Sequence, residues 1–238
     1  MKKLLLIALF IFFTACNSNS NNKPSFSNKK DNTEIKKENQ QLDSDVFLTD
    51  TLTINKHYYI QKSRNKSFYC LTSIKGDTII KPTDYYFDAE YLDINEDGYA
   101  DIRVYAISNI PNQCDNYLYN KELQKFILIE DCDLNIQKIK GAPFYYSYNK
   151  AGCSDLNWES HLSKIENFRL INYGYILGHG CDFEVEKNPQ SISIYKITSS
   201  KTMKLIQELP YLKNIPKNED KWSFIERYWQ KNYRTFEK

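Results

Sequence analysis

The sequence predicts a mainly β fold: antiparallel hairpins in a propeller-like or sandwich arrangement, with one C-terminal amphipathic helix. Three observations carry this. The chain of 238 residues holds 19 Tyr and 13 Phe against 7 Gly and 7 Pro, and aromatic residues favour pleated, half-buried surfaces. Short apolar or aromatic runs recur with turn-forming polar residues between them. Helical periodicity is sustained only at the end of the chain.

Taken in order, the candidate strands are His57 to Lys62, Ser67 to Ile74, Asp77 to Ile80, Tyr86 to Leu92, Ile102 to Ile107, Tyr117 to Tyr119 and Phe126 to Ile129. They continue with Phe144 to Tyr148, Leu156 to Ser163, Phe168 to Leu177, Ser191 to Ile197 and Met203 to Leu209. Ile102, Val104 and Ala106 alternate with Arg103 and Tyr105, the period-two pattern of a strand with one buried face. Over 218 to 237, Trp222, Ile225, Trp229 and Phe236 share one helical face with Tyr228 beside them, and Glu219 and Asp220 suit a first turn. That face is expected to pack on the sheet.

The ends of the chain carry different signals. Lys2 and Lys3 precede the apolar run Leu4 to Phe13, and Thr14, Ala15 and Cys16 follow. This reads as a signal peptide over 1 to 15. The ten apolar residues span about 15 Å, half of a hydrocarbon core, too little for a transmembrane helix. The small residues before Cys16 resemble the bacterial lipobox, which implies that the Cys16 thiol is acylated and becomes the anchored N-terminus. Asn17 rather than Asp after the cysteine implies the periplasmic side of the outer membrane. Residues 16 to 46 read as the lipidated cysteine and a tether, because so few apolar residues cannot offset the entropy of ordering. A single β-rich domain is expected over 47 to 238.

Charge narrows the partners. Lys plus Arg number 32 and Asp plus Glu 30; removing Lys2 and Lys3 leaves a mature chain of no net charge. A neutral chain without long Lys/Arg runs offers no footprint for a phosphate backbone, so nucleic acid is excluded as a partner. After Cys16, five cysteines remain. Cys114 and Cys132 flank one strand-turn-strand unit, and Cys153 and Cys181 flank another that turns near Ile165 to Asn167, which predicts two disulfides in an oxidising compartment. Cys70, inside an apolar run, reads as a buried inert thiol. His179 near Cys181 would form a nucleophile pair only if Cys181 were free.

The strongest motif is Asp93-Ile94-Asn95-Glu96-Asp97-Gly98-Tyr99-Ala100-Asp101, of the form D-x-N-x-D-G-x-x-D. Oxygens from Asp93, Asn95 and Asp97 would wrap a hard cation, Gly98 permits the sharp turn, the Tyr99 carbonyl adds a ligand and Asp101 closes the set. Calcium is the expected ion. Strands on both sides and Val104 where an EF-hand needs Glu place the loop in a β setting, with Asp88, Glu90, Asp115 or water as a further ligand.

The stretch Tyr91 to Val104, followed by the hairpin Tyr117 to Phe126, resembles a family of exported bacterial β proteins related to calcium-loop FG-GAP propeller blades. Some members are periplasmic immunity proteins that inhibit lysozyme-like toxins. The resemblance implies a lipid-anchored binding protein whose partner is a peptidoglycan-degrading, lysozyme-like hydrolase. An envelope glycan hydrolase using carboxylates among Asp88, Glu90, Asp155 and Glu159, or a structural accessory lipoprotein, are the alternatives. Tyr-rich strands such as Phe144 to Tyr148 could also offer aromatic faces to sugar rings or to a protein.

Overall fold

The computed structural model describes residues 47–82, 86–182, 189–198 and 202–237. These belong to one compact unit, Asp43–Lys238. The leader, Cys16 and the tether read from the sequence lie outside the described residues.

The first sheet is a meander of β1 (Phe47–Ile54), β2 (His57–Arg64), β3 (Ser67–Ser73) and β4 (Thr78–Ile80), hydrogen-bonded in that order. Its first two turns are Asn55-Lys56 and Asn65-Lys66, all four residues at positive φ between 50° and 67°. Two-residue hairpins whose turn matches the right-handed twist of the strands need positive φ at both positions, and Asn tolerates it. The second sheet repeats the pattern with β5 (Tyr86–Leu92), β6 (Asp101–Ala106), β7 (Cys114–Asn120) and β8 (Lys125–Leu128).

The third sheet contains β9 (Ile136–Lys138), β10 (Tyr145–Ser147), β11 (Asn149–Lys150), β12 (Asn157–Glu166), β13 (Arg169–His179), β14 (Ser191–Ile197) and β15 (Met203–Pro210). Its order is β15-β14-β13-β12-β10-β9, with β11 also pairing β12. The long β12–β13 hairpin turns at Asn167-Phe168, both at positive φ, one position later than the sequence places it. A short helix α1 (Tyr211–Asn214) and the main helix α2 (Lys221–Asn232) end the chain, α2 being flanked by 3-10 turns at Asn218–Asp220 and Tyr233–Phe236. All strand pairings within the sheets are antiparallel. The mainly β class with a C-terminal helix is therefore as expected, and among the described residues no sheet closes into a barrel.

Three apolar clusters join these parts. Ile54, Tyr59, Phe68 and Leu71 of the first sheet meet Tyr86, Ile102 and Val104 of the second. Leu118 and Ile129 meet Ile136 and Tyr145, linking the second sheet to the third. The largest cluster lies between the third sheet and α2, where Phe144, Trp158, Leu162, Ile176 and Ile194 face Phe224, Ile225, Trp229 and Phe236. Gly174 makes that approach possible, and Gly178 leaves room for the Trp158 ring of the neighbouring strand. A Cβ on Gly174 would lie 2.7 Å from the Phe236 ring, and one on Gly178 would lie 2.2 Å from Trp158.

Three expectations are corrected. Arg103 does not face solvent: it is 2% exposed, because β6 is covered on both faces, and it donates Nε–H to Asn116 Oδ1 at 2.8 Å and Nη2–H to the Ile136 carbonyl at 3.1 Å. Trp222 is not on the packed face of the helix. It is 46% exposed, while Phe224 is buried against Trp158, because the buried stripe is rotated toward Phe224 and the stem of Lys221. Finally, Cys153–Cys181 is a disulfide, but Cys114 and Cys132 are free, buried thiols. After Tyr117↔Leu128 the chain leaves the β7–β8 ladder, Asp131 takes a positive φ, and the Cys114 N–H goes to the Asp133 carbonyl. The β7–β8 register would set Asp131 opposite Cys114 and the slip sets Asp133 there, so Cys132 is one position off on either count.

Candidate functional site

The Asp93–Asp101 loop joins β5 to β6 and folds back on itself through its own side chains. Asp93 accepts the Asp97 N–H at 3.0 Å and the Gly98 N–H at 2.8 Å. Asn95 Oδ1 accepts the Asp97 N–H at 3.1 Å, and Asp97 Oδ1 accepts the Tyr99 N–H at 3.0 Å. Glu96 at φ 59° and Gly98 at φ 87° supply the turns, the latter in a region that favours glycine. Asp93, Asn95 and Asp97 are thus bent back onto the loop's own backbone.

Asp101 sits differently. It is fully buried and accepts the Ile94 N–H and the Tyr119 N–H, both at 2.8 Å, one on each oxygen. Burial pushes its carboxyl up to about 6; the two N–H groups pull it down, and the charges of Asp97 and Asp93 raise it. The spacing assigns Asp101 to the ion, whereas here it is a strut tying the loop to β7, with one lone pair left on each oxygen. Burial, and then the charges of Asp101 and Glu96, raise the Tyr145 hydroxyl above the usual phenol range, so the loop's negative field reaches the neighbouring sheet.

Two contacts that sequence reasoning missed hold the loop from outside. Asn55, in the first hairpin turn, donates Nδ2–H to the Ala100 carbonyl at 2.8 Å and accepts the Ala100 N–H at 2.7 Å. Lys138 donates to the Asn95 carbonyl and lies 3.7 Å from Glu96. An Asn in a hairpin turn is unremarkable in sequence, and nothing local marks its partner 45 positions away. A cleft of about 420 Å³ opens beside the loop, lined by Asn95, Asp97, Tyr119, Tyr145 and Phe168 among others.

The donor set that the loop offers is two carboxylates, one amide oxygen and the Tyr99 carbonyl, all hard oxygens suited to calcium. Among the described residues no three His, Cys, Asp or Glu side chains are gathered as a metal-holding group. The candidates for a further ligand already carry hydrogen bonds. Asp88 accepts the Ala89 N–H, Glu90 accepts the Tyr105 hydroxyl and lies 3.6 Å from Arg103, and Asp115 accepts the Tyr86 hydroxyl.

The carboxylates considered for hydrolysis are likewise engaged. Tyr148 and Lys221 both donate to Asp155, and Asn149 and Tyr175 donate to Glu159 at 2.8 Å. Cys181 is consumed by its disulfide, so no thiol remains to pair with His179. Among the described residues no helix is long and apolar enough to cross a membrane.

Fold and loop together define a class: a mainly β protein of antiparallel sheets with an acidic Asx-rich loop between two strands and one C-terminal helix. No family model and no curated protein sequence matches the chain. Solved structures to which it is similar include a Xanthomonas protein related to type IV secretion systems, at 14% identity and a TM-score of 0.42, covering 68% of this chain and 85% of that one. Another is an endo-1,4-beta-xylanase from Bacteroides thetaiotaomicron, at 10% identity and a TM-score of 0.23, covering 68% and 76% respectively.

Proposed function

We propose that this is a lipid-anchored binding protein of the cell envelope, stabilised by calcium in the Asp93–Asp101 loop and directed at a peptidoglycan-degrading, lysozyme-like hydrolase. The observation that carries the calcium reading is the wrapped loop. Asp93, Asn95 and Asp97 all bend onto its own backbone, and Glu96, Asp93, Asp97 and Asp101 place four acidic side chains within nine residues. Such charges repel one another unless a cation is shared among them. Asp93, Asn95, Asp97 and the Tyr99 carbonyl would hold the ion, with Asp101 fixing the loop on β7. Calcium would supply charge neutralisation and rigidity, not chemistry.

The anchor reading rests on Cys16 and the residues before it, and the partner reading on the resemblance of residues 86 to 130. Binding rather than catalysis is favoured by the carboxylates, each held by neutral or cationic donors in the body of the fold. The test is twofold. At a calcium dissociation constant of about 10 μM, thermal unfolding of the full chain in about 1 mM calcium should exceed that in EDTA by about 2.7 kcal/mol, a rise of roughly 5 to 10 °C. Asp93→Ala should abolish the rise. Pull-down and turbidity assays against lysozyme-type hydrolases should then show inhibition at micromolar protein; none across a panel of them would remove the partner part.

A further inference from the structure

The third sheet carries a second cavity, away from the acidic loop, of about 250 Å³. It lies between the β9–β10 edge and the start of α2, and its walls include Asn135, Gln137, Tyr146, Tyr148, Trp222 and Glu226. We propose that it is a binding site for a neutral saccharide, one pyranose ring of which stacks on Trp222 while the amide groups bond its hydroxyls. This goes beyond the calcium and hydrolase reading and does not depend on it.

The tryptophans make the first argument. Trp158 and Trp229 are fully buried, whereas Trp222 on the same helix as Trp229 is 46% exposed at the cavity edge. An indole left half in water beside a concave polar wall is an amphipathic surface suited to a partner with both C–H and O–H groups. The second argument is chemical. Among the described residues no Lys or Arg lines the cavity, and Lys221 beside it is 2% exposed and tied to the Asp155 carboxylate. An anionic ligand would meet Glu226 without a cation to offset it. A wholly apolar ligand would desolvate the amides without bonding them, at a cost.

The third argument is preorganisation. Tyr148 and Lys221 both donate to Asp155, and Lys221 also donates to the Asp155 carbonyl at 2.9 Å. This fixes the Tyr148 ring and the first turn of α2 in one position, and Trp222 with them. On the opposite wall Gln137 donates to Asn135 Oδ1 at 2.7 Å, and Asn135 donates to the Tyr105 hydroxyl at 3.2 Å. The Gln137 amide keeps its carbonyl oxygen and a second hydrogen for a hydroxyl. A wall set in advance loses little entropy on binding, and the volume, below the roughly 300 to 1,000 Å³ of drug-sized sites, suits a single pyranose ring.

The full-length chain would be titrated with cellotriose, chitotriose, maltotriose and mannotriose, up to about 20 mM, by tryptophan fluorescence and saturation-transfer NMR. Binding of at least one of them is expected, with a dissociation constant between about 10 μM and about 1 mM, a fluorescence change, and saturation at the ring protons. Trp222→Ala should weaken it by about tenfold or more, Trp222→Phe should restore most of it, and Gln137→Leu should weaken it without touching the aromatic platform. No saturation transfer from any of the four would overturn the proposal, as would undiminished binding by Trp222→Ala. Should that variant lose its fold, the Gln137→Leu result decides alone.

Discussion

Replacing Asn55 by Gly isolates one clamp on the acidic loop. Asn55 has φ 50°, a conformation glycine adopts freely, so the hairpin turn survives and only the side chain is lost. That side chain makes two bonds to Ala100, at 2.8 and 2.7 Å, and is the polar link between the first hairpin and the loop of the second sheet. Two neutral hydrogen bonds at about 0.5 to 1.5 kcal/mol each give an expected loss of about 1 to 3 kcal/mol. For a domain of this size that is a fall in melting temperature of roughly 2 to 10 °C. Urea unfolding of the full chain, with and without calcium, measures it. Because Ala100 follows the Tyr99 carbonyl proposed as a ligand, the calcium-dependent increment should shrink as well. Asn55→Asp should be at least as damaging, since it loses the donor and sets a carboxylate against the Ala100 carbonyl. A loss under about 0.5 kcal/mol for Asn55→Gly would refute the reasoning, because the clamp would then be replaced by water at no cost.

Three further outcomes are expected. Cys153→Ser with Cys181→Ser opens a loop of 28 residues and should cost about 3 to 4 kcal/mol in guanidinium unfolding; a cost below about 1 kcal/mol would mean that the hairpin is already closed in the unfolded chain. Gly178→Ala pushes a Cβ to 2.2 Å from the buried Trp158 ring and should destabilise by about 1 to 3 kcal/mol; an unchanged unfolding midpoint would show that strand and ring part freely. Burial holds His161 below the usual imidazole range, with Glu159 and Asp133 opposing the shift. The unfolded chain therefore takes up the proton first as pH falls, so stability present above about pH 6.5 declines below it. The urea midpoint of wild type minus that of His161→Phe should fall between about pH 7.5 and 5.5; an unchanged difference would count against a neutral imidazole held in the fold.

The hairpins were legible because their causes are local. Alternating strands and the Asp93–Asp101 spacing act within a dozen residues, and the strands from His57 onward fall close to their expected bounds, whereas β1 is not among the strands the sequence marks. The burial of Arg103 was not legible. Alternation along β6 shows one apolar face, but what covers the other face is Asn116 and the Ile136 carbonyl, brought in from 13 and 33 positions away. Phe224 and Trp222 exchange roles for a similar reason: both fit a helical stripe, and Lys221 bonded to Asp155 selects which side of the helix turns inward. The loop was readable as a donor set, whereas the recruitment of Asp101 by Tyr119 depends on how β6 and β7 align. Cys153 with Cys181 follows from a long hairpin that brings the two ends together despite a bulge at Leu162/Ser163, whereas Cys114 and Cys132 are one position out of register.

The position of α2 has a consequence for the order in which the molecule can be made. The first two sheets are assembled from neighbours in the chain and share a cluster completed by residue 126. The third sheet is not sealed until Phe224, Trp229 and Phe236 arrive, and Phe236 lies two residues from the last. During synthesis, half of the chain can hold its shape while the other half still shows a wide aromatic surface. Loss of even the final turn would leave Gly174 and its neighbours uncovered. A chain cut before Phe224 is therefore expected to be a sticky, half-finished product rather than a slightly shorter protein.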